Sequence, residues 1–194
     1  MPDLSRVLVV AATPRELAPS DGWATLACGV GPVEAAATTA AAIAAAIVAR
    51  RPAAIVHVGI AGSRQGSGLE PPMLVIGAEA RYDDVAASNA WVPRVLVPDA
   101  RLLAAAQRAL PSAAVRTIGT SARVGGTVDV PVEAMEGYAV LRAAALADVP
   151  AVEVRAIAND IGEPDRGRWQ FDAAFAAITA ATPAIVREVA ACLR

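Results

Sequence analysis

Two glutamates stand where strand-like runs end, a place from which a carboxylate can face a cleft. Glu16 lies in "ATPRELAP" (12–19), directly after the first apolar run. Glu136 lies in "VEAMEGYAVLRAAALADVP" (132–150), between a short extended entry and an alanine-rich helical stretch. A carboxylate so placed can accept hydrogen bonds from ligand hydroxyls or remove a proton as a general base. Each has a plainer alternative. Glu16 could be a solvated loop acid, and Glu136 a first-turn acid favoured by the helix dipole by about 0.3–1 kcal/mol. On the functional reading Gly137 leaves room for a ligand beside Glu136. In "RAIANDIG" (155–162), Asn159 and Asp160 follow another strand and could either bind a ligand or close an Asx turn. In "HVGIAGSR" (57–64), Gly59 and Gly62 flank Ile60 and Ala61. Backbone groups there can approach a flat ligand unobstructed, unless the segment is simply a strand-to-loop turn.

Other chemistries find no support. His57, the only histidine, sits inside a strand-like run and reads as a satisfied core residue, and no Ser/His/Asp triad assembles around it. All 17 basic residues are arginine, which excludes a Schiff-base or P-loop lysine. Cys28 and Cys192 are isolated and read as two free buried thiols rather than zinc ligands. No metal and no cofactor is expected. "GVGPVE" (29–34) has Glu34 where a dinucleotide fingerprint needs its third glycine, so it reads as a tight turn. A net charge of −2 and an isoelectric point near 5.4 argue against nucleic-acid binding. The N-terminus lacks the pattern of a signal peptide, and no apolar run reads as a membrane span, so no membrane partner and a cytoplasmic location are expected.

The elements that must position these residues alternate along the chain. Strands are predicted over 6–12, 23–30, 53–62, 73–84, 113–124 and 149–160, and an extended run near "VPRVLVPD". Helices are predicted over 32–51, 100–110 and 171–194, with Pro183 expected to kink or interrupt the last. In the 132–150 stretch Tyr138, Leu141, Ala145 and Val149 recur as one helical face, after a strand ending near Met135. One domain over 1–194 follows. Its fold class is α/β, with three α/β/α layers around a mixed, mostly parallel sheet. Aromatic residues make up only 4% of the chain while 56% is hydrophobic, so small side chains must let helices lie close on that sheet. Ligands of such folds bind at the carboxyl ends of strands.

Taken together, the motifs resemble those of the purine nucleoside phosphorylases and methylthioadenosine/S-adenosylhomocysteine nucleosidases. The likeness lies in a loop glutamate after strand one ("ATPREL"), a glycine turn ("GIAG"), the pair Met135–Glu136, and "RAIAN" where those enzymes have "RAIS-Asp". "GAEARYDD" and "QFDAAF" fall at similar spacing, and the likeness runs nearly end to end. It implies a nucleoside phosphorylase-like fold and cleavage of the N-glycosidic bond of a purine nucleoside. "GVGPVEAA", "VEAMEGYAV" and "EPDRGRW" are most similar to the branch that removes hypoxanthine from a 5′-modified nucleoside on a route to menaquinone. The chain departs from the family pattern in trimmed loops before residue 23 and after residue 84, and in Asn159 at the base-contacting aspartate position.

By this resemblance Glu136 and Met135 would hold the ribose, and Glu16 would orient and deprotonate water. Asn159 or Asp160 would meet the base, with Ile60, Ala61 and Gly62 lining the same region. Hydrolysis is favoured over phosphorolysis, because the arginine-containing phosphate loop after strand one is missing and Glu16 would repel phosphate. The alternatives are an adenine-releasing nucleosidase, a purine nucleoside phosphorylase and a non-catalytic nucleoside-binding protein. The resemblance also implies a homo-oligomer. For an acidic group at the far end of a substrate, Arg64, Arg166 and Arg168 are the candidate partners, and Trp169 or Tyr138 could stack on a ring or belong to the core.

Overall fold

The computed structural model describes residues 2–49 and 51–193; Arg50, within the helix predicted over 32–51, and Arg194, the end of the helix predicted over 171–194, lie outside the described residues. Strand β1 (Val7–Ala11) is buried along its whole length, as a continuous apolar run in the middle of a parallel set should be. It lies between β2 (Ala24–Ala27) and β3 (Ala54–Ser63), parallel to both. On the far side of β3 runs β8 (Ala151–Asp160), again parallel.

Beyond β8 the sheet does not stay open. β8 pairs antiparallel with β4 (Leu74–Tyr82), which is parallel to β6 (Ala114–Thr120) and carries the short edge strand β5 (Val95–Leu96). β6 pairs with β7 (Val132–Ala134), and β7 returns to pair antiparallel with Gly62 and Ser63 at the end of β3. The circuit β3–β8–β4–β6–β7 therefore closes on itself, with β1, β2 and β5 outside it. The layered, mixed and mostly parallel sheet expected from the sequence is present, and the sequence pattern is silent on its closure. The closure depends on β7, a strand too short to carry a periodic signal.

Helices cover both faces. Along β1 the alternate residues Val7, Val9 and Ala11 face one core, which also takes α2 (Ala100–Ala109) and α4 (Phe171–Ala191). Leu8 and Val10 face the other, with α1 (Pro32–Ala49) and α3 (Gly137–Leu146). Asp99 starts α2 by accepting from the amides of Arg101 and Leu102, the usual remedy for unpaired first-turn donors. In α3 the buried face includes Tyr138, Leu141 and Ala144, whereas Ala145, expected in the core, is exposed because the helix ends one residue later. Cys28 is buried and Cys192 half-buried, and both are free thiols.

Two expectations for the last helix need correction. Pro183 does not interrupt α4, which runs continuously from Phe171 to Ala191. By length and composition α4 could also cross a membrane, although no such run stood out in the sequence. Here Ala174, Ile178, Ile185 and Val189 are wholly buried against the sheet and α2. That packing holds the helix together across the proline, which leaves the Thr179 carbonyl without its helical donor. A proline inside a helix costs about 3 kcal/mol, of which about 1 kcal/mol is returned by its restriction of the unfolded chain. Pro183→Ala should thus stabilise the protein by about 2 kcal/mol in chemical denaturation; a destabilised variant would show that the ring itself packs usefully.

Candidate active site

At the strand ends lies a cavity of about 660 Å³. Its floor carries Glu16, Glu136 and Asn159, each under a tenth exposed. Glu16 comes from a 3-10 turn, Pro14–Glu16, that directly follows β1. Its Oε2 accepts from the amide and hydroxyl of Thr13, both at 2.8 Å, and its Oε1 accepts from the Ile60 amide at 3.1 Å. A carboxylate offers about four acceptor positions. Three protein donors fix this one and leave a position for a ligand or water.

Glu136 caps α3 between the end of β7 and Gly137. The Gly31 amide donates to its Oε1 at 3.0 Å, and the Arg155 guanidinium lies 3.5 Å from its Oε2. Burial pushes the Glu136 carboxyl up from its ordinary value, while Arg155 and the Gly31 amide pull it back. Gly31 adopts φ +91°, a left-handed conformation suited to glycine. The turn "GVGP" is therefore a turn, as read, but also the donor that fixes this glutamate, which its spacing did not disclose.

Behind the floor is a residue that motif reading passed over. Arg155 is fully buried, yet every part of its guanidinium has a partner. Nε donates to Glu153 at 2.8 Å, Nη1 approaches Glu136 and the Ile60 carbonyl, and Nη2 donates to His57 Nε2. His57 Nδ1 lies 3.0 Å from the Val10 carbonyl, which can only accept. The histidine is hence the neutral tautomer with its hydrogen on Nδ1, a core residue whose free nitrogen serves Arg155. Burial works against the charge of Arg155, but Glu153 and Glu136 outweigh it and hold the guanidinium above its ordinary pKa. Gly59, opposite Arg155 on β3, makes the space: a β-carbon there would fall 2.2 Å from Nη1.

A bulge between Ala61 and Gly62 sets Asn159 beside Gly62. The Asn159 amide donates to the Asp160 carbonyl at 2.9 Å, leaving its second N–H and its oxygen free at the cavity. Asp160 does not join the floor. Its Oδ1 accepts from the Gly162 amide at 2.6 Å, closing the Asx turn that was its plainer alternative. Met135, Ile60, Ala61 and Gly62 all line the cavity. Gly137 does not. Its bare Cα makes room for Glu153, whose carboxylate oxygens would be 2.2 and 2.3 Å from a β-carbon, so the idea that it clears space for a ligand is wrong.

The cavity mouth was legible only in part. Trp169 lines it, with Phe171 tilted against it at 5.4 Å and Phe175 stacked on Phe171, whereas Tyr138 packs on Tyr82 in the core. Of the arginines considered, Arg166 lines the cavity and lies over Trp169. Arg64 is spent on the Val130 and Thr127 carbonyls, and Arg168 pairs with Glu163. Arg123, missed in the sequence, joins Arg166 at the mouth. It is carried by a loop that Glu133 ties through the Gly125 and Thr127 amides.

The buried histidine makes stability pH-dependent. Burial, and then the charge of Arg155, hold His57 well below 6.5. As pH falls below about 6.5 the unfolded chain takes up a proton that the native state refuses, so this contribution is present above that pH and lost below it. The slope approaches about 1.4 kcal/mol per pH unit. Melting curves of wild type and His57→Asn between pH 7 and 5 check this: the wild type should lose stability more steeply, and parallel slopes would refute the neutral assignment.

The same architecture and sequence occur elsewhere. The profile of the phosphorylase superfamily matches residues 24–194. Futalosine hydrolase of Streptomyces coelicolor is 38% identical over 183 residues, covering 82% of this chain and 76% of that protein. A methylthioadenosine/S-adenosylhomocysteine nucleosidase of Colwellia psychrerythraea, solved with adenine, superposes with a TM-score of 0.80 at 18% identity, covering 94% of both chains. A futalosine hydrolase mutant of Helicobacter pylori gives a TM-score of 0.71 at 15% identity, covering 96% of this chain and 97% of the other. The two structures share the fold, and the Streptomyces enzyme shares sequence across most of the chain. With the profile spanning all but the first strand and its turn, the chain belongs to the phosphorylase superfamily.

Proposed function

We propose that the protein is an N-ribosyl hydrolase that releases hypoxanthine from futalosine, a cytoplasmic step of menaquinone synthesis, and that it works as a homo-oligomer. The likeness to the Streptomyces futalosine hydrolase supports the substrate. The observation that carries the chemistry is the cavity floor, where two buried glutamates keep unused acceptor positions next to a buried asparagine.

Cleaving the bond leaves positive charge on the ribosyl carbon, and the site's residues divide the work. Glu136, held by Gly31 and Arg155, accepts from two ribose hydroxyls, and its charge favours the developing cation. Glu16 uses its free acceptor position to orient water and take its proton. Asn159 presents one unused N–H, which can donate to O6 or to the unprotonated N7 of the departing hypoxanthine. It cannot supply a proton, so the base leaves as an anion with its charge carried onto O6, and it is protonated from solvent as Glu16 releases the proton it took from water. An adenine-releasing reaction would call for a carboxylic acid at this place, and Asp160 is turned to Gly162 instead.

Incubation with futalosine in phosphate-free buffer should yield hypoxanthine and a free reducing sugar. Glu16→Gln and Glu136→Gln should each lower kcat by about 10²-fold or more, the usual scale for one general base or positioned charge. Strict phosphate dependence would turn the assignment to a phosphorylase, and binding without turnover to a nucleoside-binding protein.

Futalosine carries a benzoate on its far end, and Arg123 and Arg166 are the cations at the cavity mouth. Charged hydrogen bonds of this kind contribute about 1.5–3 kcal/mol, so Arg166→Ala should lower kcat/KM for futalosine about tenfold or more. Turnover of inosine, which lacks the carboxylate, should change by less than about twofold. Equal losses on both substrates would remove the arginine from this role.

A further inference from the structure

Glu153 has no part in the chemistry described above, yet it is an acid 1% exposed, on the sheet face beneath α3. Its Oε1 accepts from Arg155 Nε at 2.8 Å, while its Oε2 has no hydrogen-bond partner among the described residues. It does not line the cavity. The chain accommodates it by placing glycine at the first position of α3, since a β-carbon at Gly137 would overlap both carboxylate oxygens. Burying a second acid on one guanidinium contributes little net stability, because desolvation offsets the attraction. Its effect is felt instead by the other acid on the same guanidinium.

We propose that Glu153 is a positioning residue: seated in the space left by Gly137, it divides the Arg155 guanidinium with Glu136 and so sets the charge that Glu136 presents to its ligand. The inference rests on the assignment of Glu136 to the substrate. The groups facing Glu136 come from every element packed around it: Arg155 and Glu153 from β8, Glu16 from the turn after β1, the Gly31 amide, and Cys28 after β2. Burial pushes the Cys28 thiol up to about 11, so it stays uncharged near neutrality. His57, neutral, holds the other edge of the guanidinium. After burial, Arg155 and the Gly31 amide lower the Glu136 pKa, and Glu16 and Glu153 raise it. Removing the charge of Glu153 leaves Glu136 a larger share of Arg155, so Glu136 should stay ionised to lower pH.

Infrared difference titration of the carboxyl C=O band tests this on the ligand-free protein, with Glu136→Gln identifying the band. In Glu153→Gln the Glu136 midpoint should fall by about one pH unit, and the acid limb of kcat/KM for futalosine should move with it. An unchanged or higher midpoint overturns the proposal. Because the titration needs no substrate, it stands apart from the assigned activity; a lowered midpoint without futalosine turnover would fault that activity alone. The packing is tested by a cycle. Gly137→Ala should lower kcat/KM about tenfold in wild type but less than about twofold in a Glu153→Ala background, where the β-carbon has room. Equal losses in both backgrounds would overturn the seating of Glu153 beneath Gly137.

Discussion

Arg155 carries a positive charge into the middle of a sheet, out of reach of water. A charge there is tolerated only if partners replace its hydration, and the surrounding structure reads as that replacement. Glu153 and Glu136 supply the countercharge, His57 supplies a neutral acceptor, and Gly59 supplies the room. Each partner is fixed in turn. His57 is held in one tautomer by the Val10 carbonyl on β1, and Glu136 by the Gly31 amide. The cavity floor is accordingly rigid before any ligand arrives, which is what catalysis by preorganised charge requires.

The closed circuit of strands explains why residues so far apart in sequence meet. β3 ends between β8 and β7, so the carboxyl end of β8, the entry to α3 and the glycine turn of β3 converge. Glu16 reaches the same place from β1 and is tied to Ile60 by one hydrogen bond. The bulge at Ala61–Gly62 adds a local turn of the strand that sets Asn159 on the cavity side. The helices contribute packing to both faces, but apart from the start of α3 and the aromatic side chains of α4 they do not form the site.

Much of this was legible in the sequence, for physical reasons. Long apolar runs such as 53–62 and 149–160 announce buried strands, and Glu16, Glu136 and Asn159 stand out because polar residues at strand ends need an explanation. Arg155 did not stand out. An arginine inside an apolar strand looks like a residue reaching for solvent, and its partners beyond its own strand, His57 and Ile60 on β3 and Glu136 between β7 and α3, are linked to it by no local pattern. Gly137 was misread for a related reason: its neighbour in sequence is Glu136, but its neighbour in space is Glu153. The closure was hidden because β7 spans only Val132–Ala134. The continuity of α4 was misjudged because the cost of Pro183 is local, whereas the burial that offsets it extends along the helix.

The contact between the bare Cα of Gly137 and the carboxylate of Glu153 also bears on how such a chain can diverge. The two positions lie on different elements and do not vary independently: a side chain at 137 displaces the carboxylate while a glutamate stands at 153. A lineage leaving this arrangement would most readily shrink residue 153 first and fill 137 afterwards, because in the reverse order it would meet an intermediate about tenfold less active. Descendants should therefore fall into two classes, glycine with a buried acid or a larger residue without one, with few sequences between them.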